Sequence, residues 1–196
     1  MRRVIVSMNV TLDGFVSGLL GELDWHFPLW NEDMSSSACE QLHTVDTILM
    51  GRITYQAMAA YWSAAPSGLL GDMMNSCSKV VFSSSLQTPQ WNNSRVVGED
   101  AAREVSRLKQ STGKNIIVYG SRSIVACLKK AGLIDEYRIW VHPVVIGQGK
   151  PLFNLHDQID LILLRTKTFS SGVIVLYYQP KGSVVLDPSS IRTALL

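Results

Sequence analysis

Apolar and polar residues along this chain follow two rhythms. Short apolar runs read as buried strands: Arg3–Val10, Thr47–Met50, Lys79–Ser83, Arg95–Val97, Ile116–Tyr119 and Glu136–Val141. Between them, apolar positions recur at helical spacing, as Ala101, Val105 and Leu108 do within Asp100–Gln110. Helices are also expected over Asp33–His43 with Asp33 as N-cap, over Ile53–Tyr61, and over Ser121–Ala131 with Gly132 as its stop. Asp72–Cys77 reads as a turn or short helix. Ile162–Phe169 and Val173–Tyr178 flank Ser170-Ser171-Gly172 as a hairpin.

Strands alternating with helices imply parallel β-α-β units covered on both faces, here with an antiparallel edge from the closing hairpin. The reading is one α/β domain over residues 1–180, followed by a patternless tail, 181–196, expected to be mobile. One loop is unusually long. Thr11–Asn31 exceeds the roughly 12–15 residues beyond which loops are usually functional or disordered. It carries Trp25, Phe27 and Trp30, which disordered segments tend to lack, so an ordered loop bordering a pocket is expected.

Composition narrows the function. At 196 residues and 46% hydrophobic, the chain can bury a sizeable core. A net charge of +2 gives no case for nucleic acid or an anionic membrane surface, so any anion site is local. Three scattered cysteines, Cys39, Cys77 and Cys127, fit a reducing cytosol and not a disulfide framework; neither they nor the four histidines show metal-ligand spacing. No run reaches the roughly 18 apolar residues of a membrane span, and a soluble cytoplasmic protein is expected.

Candidate chemistry gathers where strands end, because ligands of open α/β sheets bind beyond the carboxyl ends of the strands. The first strand leads to Asp13-Gly14, the second to Gly51-Arg52, the third to Ser83-Ser84-Ser85 and a later one to Gly120-Ser121-Arg122-Ser123. Two of these junctions open helices, whose unpaired N–H groups favour phosphate, and Arg52 and Arg122 add charge. Each residue also has a plain structural reading. Gly51, Gly120 and Asp13-Gly14 suit turns, Ser121 an N-cap, Arg52 a solvated surface and Trp25 the core. G-x-G-x-x-G after the first strand, G-x-x-x-x-G-K-[ST] and G-x-S-x-G are all absent.

Four segments together resemble the single-domain dihydrofolate-reductase-like proteins, relatives of the reductase domain of the bifunctional riboflavin-biosynthesis deaminase–reductase. They are Thr11–Gly18 "TLDGFVSG", Asp46–Met58 "DTILMGRITYQAM", Lys79–Leu86 "KVVFSSSL" and Val118–Phe153 "VYGSRSIVACLKKAGLIDEYRIWVHPVVIGQGKPLF". The resemblance implies a three-layer α/β/α fold with a mostly parallel central sheet. It also implies an NADPH-dependent reductase, with NADH as the alternative cofactor, and by analogy a homodimer. The substrate class implied is a small heterocycle, either pterin-like or like 5-amino-6-(5-phosphoribosylamino)uracil.

By the same resemblance Gly51, Arg52 and Thr54 cradle the adenylate side, with Arg52 on the 2′-phosphate and Ser83 near the adenosine. Gly120, Ser121, Arg122 and Ser123 line the pyrophosphate, and Ile124 follows into the helix. Asp13 and Trp25 lie near nicotinamide and substrate, and Asp13 is the candidate proton donor or substrate anchor, with ordered water as the alternative donor. Ser84 stands where the family often has arginine, Arg122 where glycine is common, and Gln56 where glutamate is common. Two other function classes stay open: a non-catalytic nucleotide-binding protein, and a structural dimer with a vestigial site.

Overall fold

A computed structural model describes residues 1–64, 68–98, 100–155 and 157–182. The expected tail lies outside the described residues from residue 183 onward. Among the described residues, ten strands and five α-helices are interleaved, with a short 3-10 turn at Phe27–Leu29. In chain order they are β1 (Val4–Thr11), β2 (Phe15–Ser17), α1 (Glu32–His43), β3 (Val45–Gly51), α2 (Arg52–Trp62), α3 (Leu69–Ser76), β4 (Ser78–Phe82), β5 (Ser94–Val97), α4 (Ala101–Gln110), β6 (Asn115–Tyr119), α5 (Arg122–Lys130), β7 (Glu136–His142), β8 (Lys150–Pro151), β9 (Leu161–Thr168) and β10 (Ile174–Pro180).

Eight strands form one sheet in the order β5-β4-β3-β6-β1-β7-β10-β9. The first six run parallel, and β10 and β9 pair antiparallel at one edge. Alternation along β1 explains the layers. Val4, Val6, Met8 and Val10 pack with Val105 of α4 and Val125 and Leu128 of α5. Ile5 points to the other face, with Leu42 of α1, Tyr55 of α2 and Met74 of α3. This is the dihydrofolate-reductase-like three-layer arrangement, with a second small sheet added by β2 and β8.

Several boundaries differ from the sequence expectation. Asp33 is not the N-cap of α1: Asn31 is, its side chain accepting from the Met34 amide at 3.0 Å, and Asp33 sits in the first turn. Both residues are good caps by type, and only the chain's path selects one. Asp72–Cys77, expected as a turn or short helix, falls mostly within α3, which already begins at Leu69. Gly132 does follow α5 with φ +64°, the left-handed stop that its lack of Cβ permits.

Lys79 departs from its sequence type. It is wholly buried on β4, its Nζ 4.4 Å from the Trp91 ring centre and donating to the Asn75 and Asn92 carbonyls. Burial pulls its pKa down to about 8.

The long loop and the β7–β8 connection are zipped together. Leu12 N–H donates to Val144 O and Leu152 N–H to Gly14 O, while β2 pairs with β8. Gly149 lies against this zipper: a Cβ there would collide with the Ser17 carbonyl oxygen and press Phe15 Cβ at 3.2 Å. Backbone cannot swing aside as a side-chain tip can. Gly149→Ala is therefore expected to cost at least about 1–3 kcal/mol, as overpacking does. A lowered urea midpoint checks this, and an unchanged midpoint would show that the zipper relaxes freely.

Candidate functional site

The site follows from topology. β3 and β6 are neighbours in the sheet, yet α2 leaves β3 toward one face and α5 leaves β6 toward the other. Where adjacent connections diverge, a crevice opens at the carboxyl ends of the strands. Gly51 ends β3 and Ser121 follows β6, and they meet across this crevice: the Gly51 N–H donates to Ser121 Oγ at 2.8 Å. Thr54 Oγ1 donates to the Gly120 carbonyl at 3.2 Å. Gly120 has φ +61°, and a Cβ on it would come within 2.9 Å of Thr54 Cγ2. Glycine is required there by conformation and by space together.

Both helix starts are left open. No side chain caps α2 or α5; the Ser121 hydroxyl, the natural cap of α5, is engaged by Gly51 instead. The charge pattern is also reversed. Helices α1, α3 and α4 carry acids in the first turn, which the positive end of a helix dipole favours. α2 and α5 carry none there and open with Arg52 and Arg122. Arg52 is exposed, its Nη1 3.3 Å from Gln56 Oε1, and Arg122 is half-buried, its Nη1 3.5 Å from the Pro151 carbonyl. Two open helix starts with cations beside them make a place for an anion.

Other expected residues sit differently. Ser83 Oγ accepts from the Ser85 and Leu86 amides, so it shapes its own turn at the end of β4. Ser123 is exposed beside Gly51, whereas the Ile124 side chain is buried in the core. Asp13 is exposed and accepts from the Gly147 amide at 2.8 Å and the Ile146 amide at 3.2 Å. The Thr11 hydroxyl and these amides hold its carboxyl below the usual range. This corrects the proton-donor expectation for Asp13: a carboxylate stabilised in its ionised form binds two loops together and holds no proton to give at neutral pH.

Trp25 is half-buried and lines a hollow of about 400 Å³ with Gly18, Glu22, Asp24 and Ile146. The long loop thus borders a pocket, as its aromatic content suggested. Behind Trp25 lies His142, the last residue of β7, paired with Thr11 of β1. It is wholly buried, with Nε2 3.1 Å from Asn9 Oδ1. Sequence reading passed over His142 and Asn9. The one available signal was that His142 stands directly before the "PVVIGQG" turn, at a strand end.

Burial lowers the His142 pKa to about 4, with a smaller push from His26. The unfolded chain takes up a proton near pH 6.5 that the folded chain refuses until about pH 4. This contribution to stability is complete above pH 6.5 and is lost as pH falls toward 4. Its size is on the order of 3 kcal/mol. Urea titrations at pH 7 and pH 4.5 should show a larger acid loss for the unmodified chain than for His142→Phe; equal losses would contradict the buried neutral imidazole.

Comparison with known proteins gives a consistent picture. A family model described as the RibD C-terminal domain matches residues 2–175. Uncharacterized protein YyaP of Bacillus subtilis (strain 168) is 37% identical over 186 residues, covering 92% of this chain and 96% of that one. A provisionally named riboflavin biosynthesis protein from Shewanella sp. PV-4 superposes with TM-score 0.73 at 22% identity, covering 91% of this chain and 99% of that one. The diaminohydroxyphosphoribosylaminopyrimidine deaminase/5-amino-6-(5-phosphoribosylamino)uracil reductase of Thermotoga maritima superposes with TM-score 0.65 at 13% identity, covering 92% of this chain and 57% of that longer one. At such identities the two structures speak for the fold.

Proposed function

From the premise that the chain belongs to the RibD C-terminal domain family, we propose that it is an NADPH-dependent reductase acting on a small heterocycle, aminouracil-like or pterin-like. Family membership supports a reductase-type role. The observation that carries the cofactor reading is the pair of reversed helix starts. Arg52 and Arg122 stand at the positive ends of α2 and α5, where each costs about 0.3–1 kcal/mol unless an anion faces it. Residues in that position make sense opposite phosphates.

The arrangement fits a dinucleotide. Gly51, Arg52 and Thr54 would hold the adenylate side, with Arg52 on the 2′-phosphate, and Gly120, Ser121, Arg122 and Ser123 the pyrophosphate. Ile124 supports that helix from the core. Bound NADPH supplies a hydride; the protein's share is orientation and exclusion of water. Asp13 acts by anchoring the loops of the substrate side. The proton that accompanies reduction of a C=N or C=O bond then comes from ordered water. The three free cysteines, Cys39, Cys77 and Cys127, agree with a cytoplasmic setting.

Calorimetric titration with NADPH and NADH in parallel tests the reading. Micromolar NADPH binding with weaker NADH is expected, and no binding of either would overturn it. Arg52→Ala should weaken NADPH by about 1.5–3 kcal/mol, the worth of a charged hydrogen bond, and NADH much less. The same variant should unfold at an equal or slightly higher temperature without cofactor, since a cation leaves the positive helix end. Equal losses for both cofactors would remove Arg52 from the 2′-phosphate.

A further inference from the structure

Two buried polar atoms at the substrate side of the rim have no hydrogen-bond partner: Nδ1 of His142 and Nε1 of Trp25. Their rings meet edge to face at 5.1 Å. His142 has no exposed surface, and Asn9 fixes its other nitrogen. With the Asn9 oxygen as acceptor, Nε2 carries the ring proton and Nδ1 is left as a bare acceptor, an assignment made from the hydrogen bonding. The indole N–H can only donate. One donor and one acceptor, both unpartnered, therefore belong to two uncharged rings in contact. Burial keeps the imidazole neutral at physiological pH.

Leaving such groups unmade is unfavourable, so a ligand that supplies the matching pair is favoured twice over. The hollow bordered by Trp25 gives the approach. At its wall stands Asp24, whose carboxylate makes no hydrogen bond or ion pair among the described residues. Glu22, beside it, is engaged by the Leu20 amide.

We propose that Trp25 and His142 form a recognition edge for a planar lactam, a ring N–H next to a C=O. The Trp25 N–H donates to the carbonyl, and His142 Nδ1 accepts from the ring N–H. Asp24 receives an exocyclic amine on the same ring. Entry from the hollow draws the indole edge off the imidazole, and the ligand takes its place between them. The assignment of this hollow to substrate rests on the reductase reading; the hydrogen-bond complementarity does not.

The test uses 5,6-diaminouracil, which has the lactam edge and two amines, and 1,3-dimethyl-5,6-diaminouracil, whose ring N–H groups are methylated. Calorimetry on the full chain should show the methylated compound binding at least tenfold more weakly. Trp25→Phe keeps a ring and removes the donor; it should lower affinity for diaminouracil about tenfold and largely erase the preference between the two. His142→Gln, which keeps an acceptor, should retain more of the preference than His142→Phe. In ¹⁵N-labelled protein the Trp25 indole N–H resonance, assigned by its loss in Trp25→Phe, should shift on adding diaminouracil. No diaminouracil binding, equal binding of both compounds, or an indole resonance that stays fixed because a tightly held water already satisfies it, would each overturn the edge. NADPH titration of the same samples is read separately: its failure removes the reductase reading and leaves the comparison of the two uracils standing.

Discussion

A single hydrogen bond, from the Gly51 N–H to Ser121 Oγ, joins the two halves of the crevice. It spans the point where α2 and α5 depart to opposite faces of the sheet. By engaging the Ser121 hydroxyl, it removes the cap that α5 would otherwise have. The amides of the first turn are left for something else. The same bond fixes the separation of the two helix starts, so both dipole ends converge on one place. The Thr54–Gly120 contact braces the arrangement from the next turn.

A buried polar network on the α1 face of the sheet stiffens the ground beneath this rim. Gln41 of α1 donates to Ser7 Oγ and Tyr119 OH and accepts from Arg138, while Trp140 Nε1 donates to the same Ser7. Burial raises the Tyr119 pKa strongly, so the phenol stays neutral. These bonds tie β1, β6, β7 and α1 into one register. Among the unpartnered buried atoms, those of Trp25 and His142 are set apart because their rings touch. They sit one step further toward the rim, on the same sheet face.

The rim around Trp25 is held by loops instead of by the sheet. Asp13 bridges to Ile146 and Gly147, and β2 pairs with β8. This explains an acid in a position that invites a catalytic reading. Its carboxylate is spent on two backbone amides, and the loops that carry Trp25 and Ile146 depend on that clamp.

The sequence by itself determined the α/β class, the parallel sheet with its antiparallel hairpin, and the strand ends at which glycine, serine and arginine collect. These were legible because the periods of burial, near two for strands and 3.6 for helices, are written locally. The glycines of "GRIT" and "GSRS" were legible for the same reason, since a sharp strand-to-helix turn leaves a short signature. Tertiary structure decided the rest. Asn31 and not Asp33 caps α1, because the path of the chain brings only one of them to the helix start. Lys79 is buried although lysine is a surface type, because the Asn92 carbonyl and the Trp91 ring fold back onto it and join the nearby Asn75 carbonyl. Asp13 loses its proton-donor reading through amides more than 130 residues away in sequence. Beyond the place of His142 at a strand end, nothing local marks it or Asn9, because a hydrogen bond between neighbouring strands, and the burial that keeps an imidazole neutral, exist only once the sheet has formed.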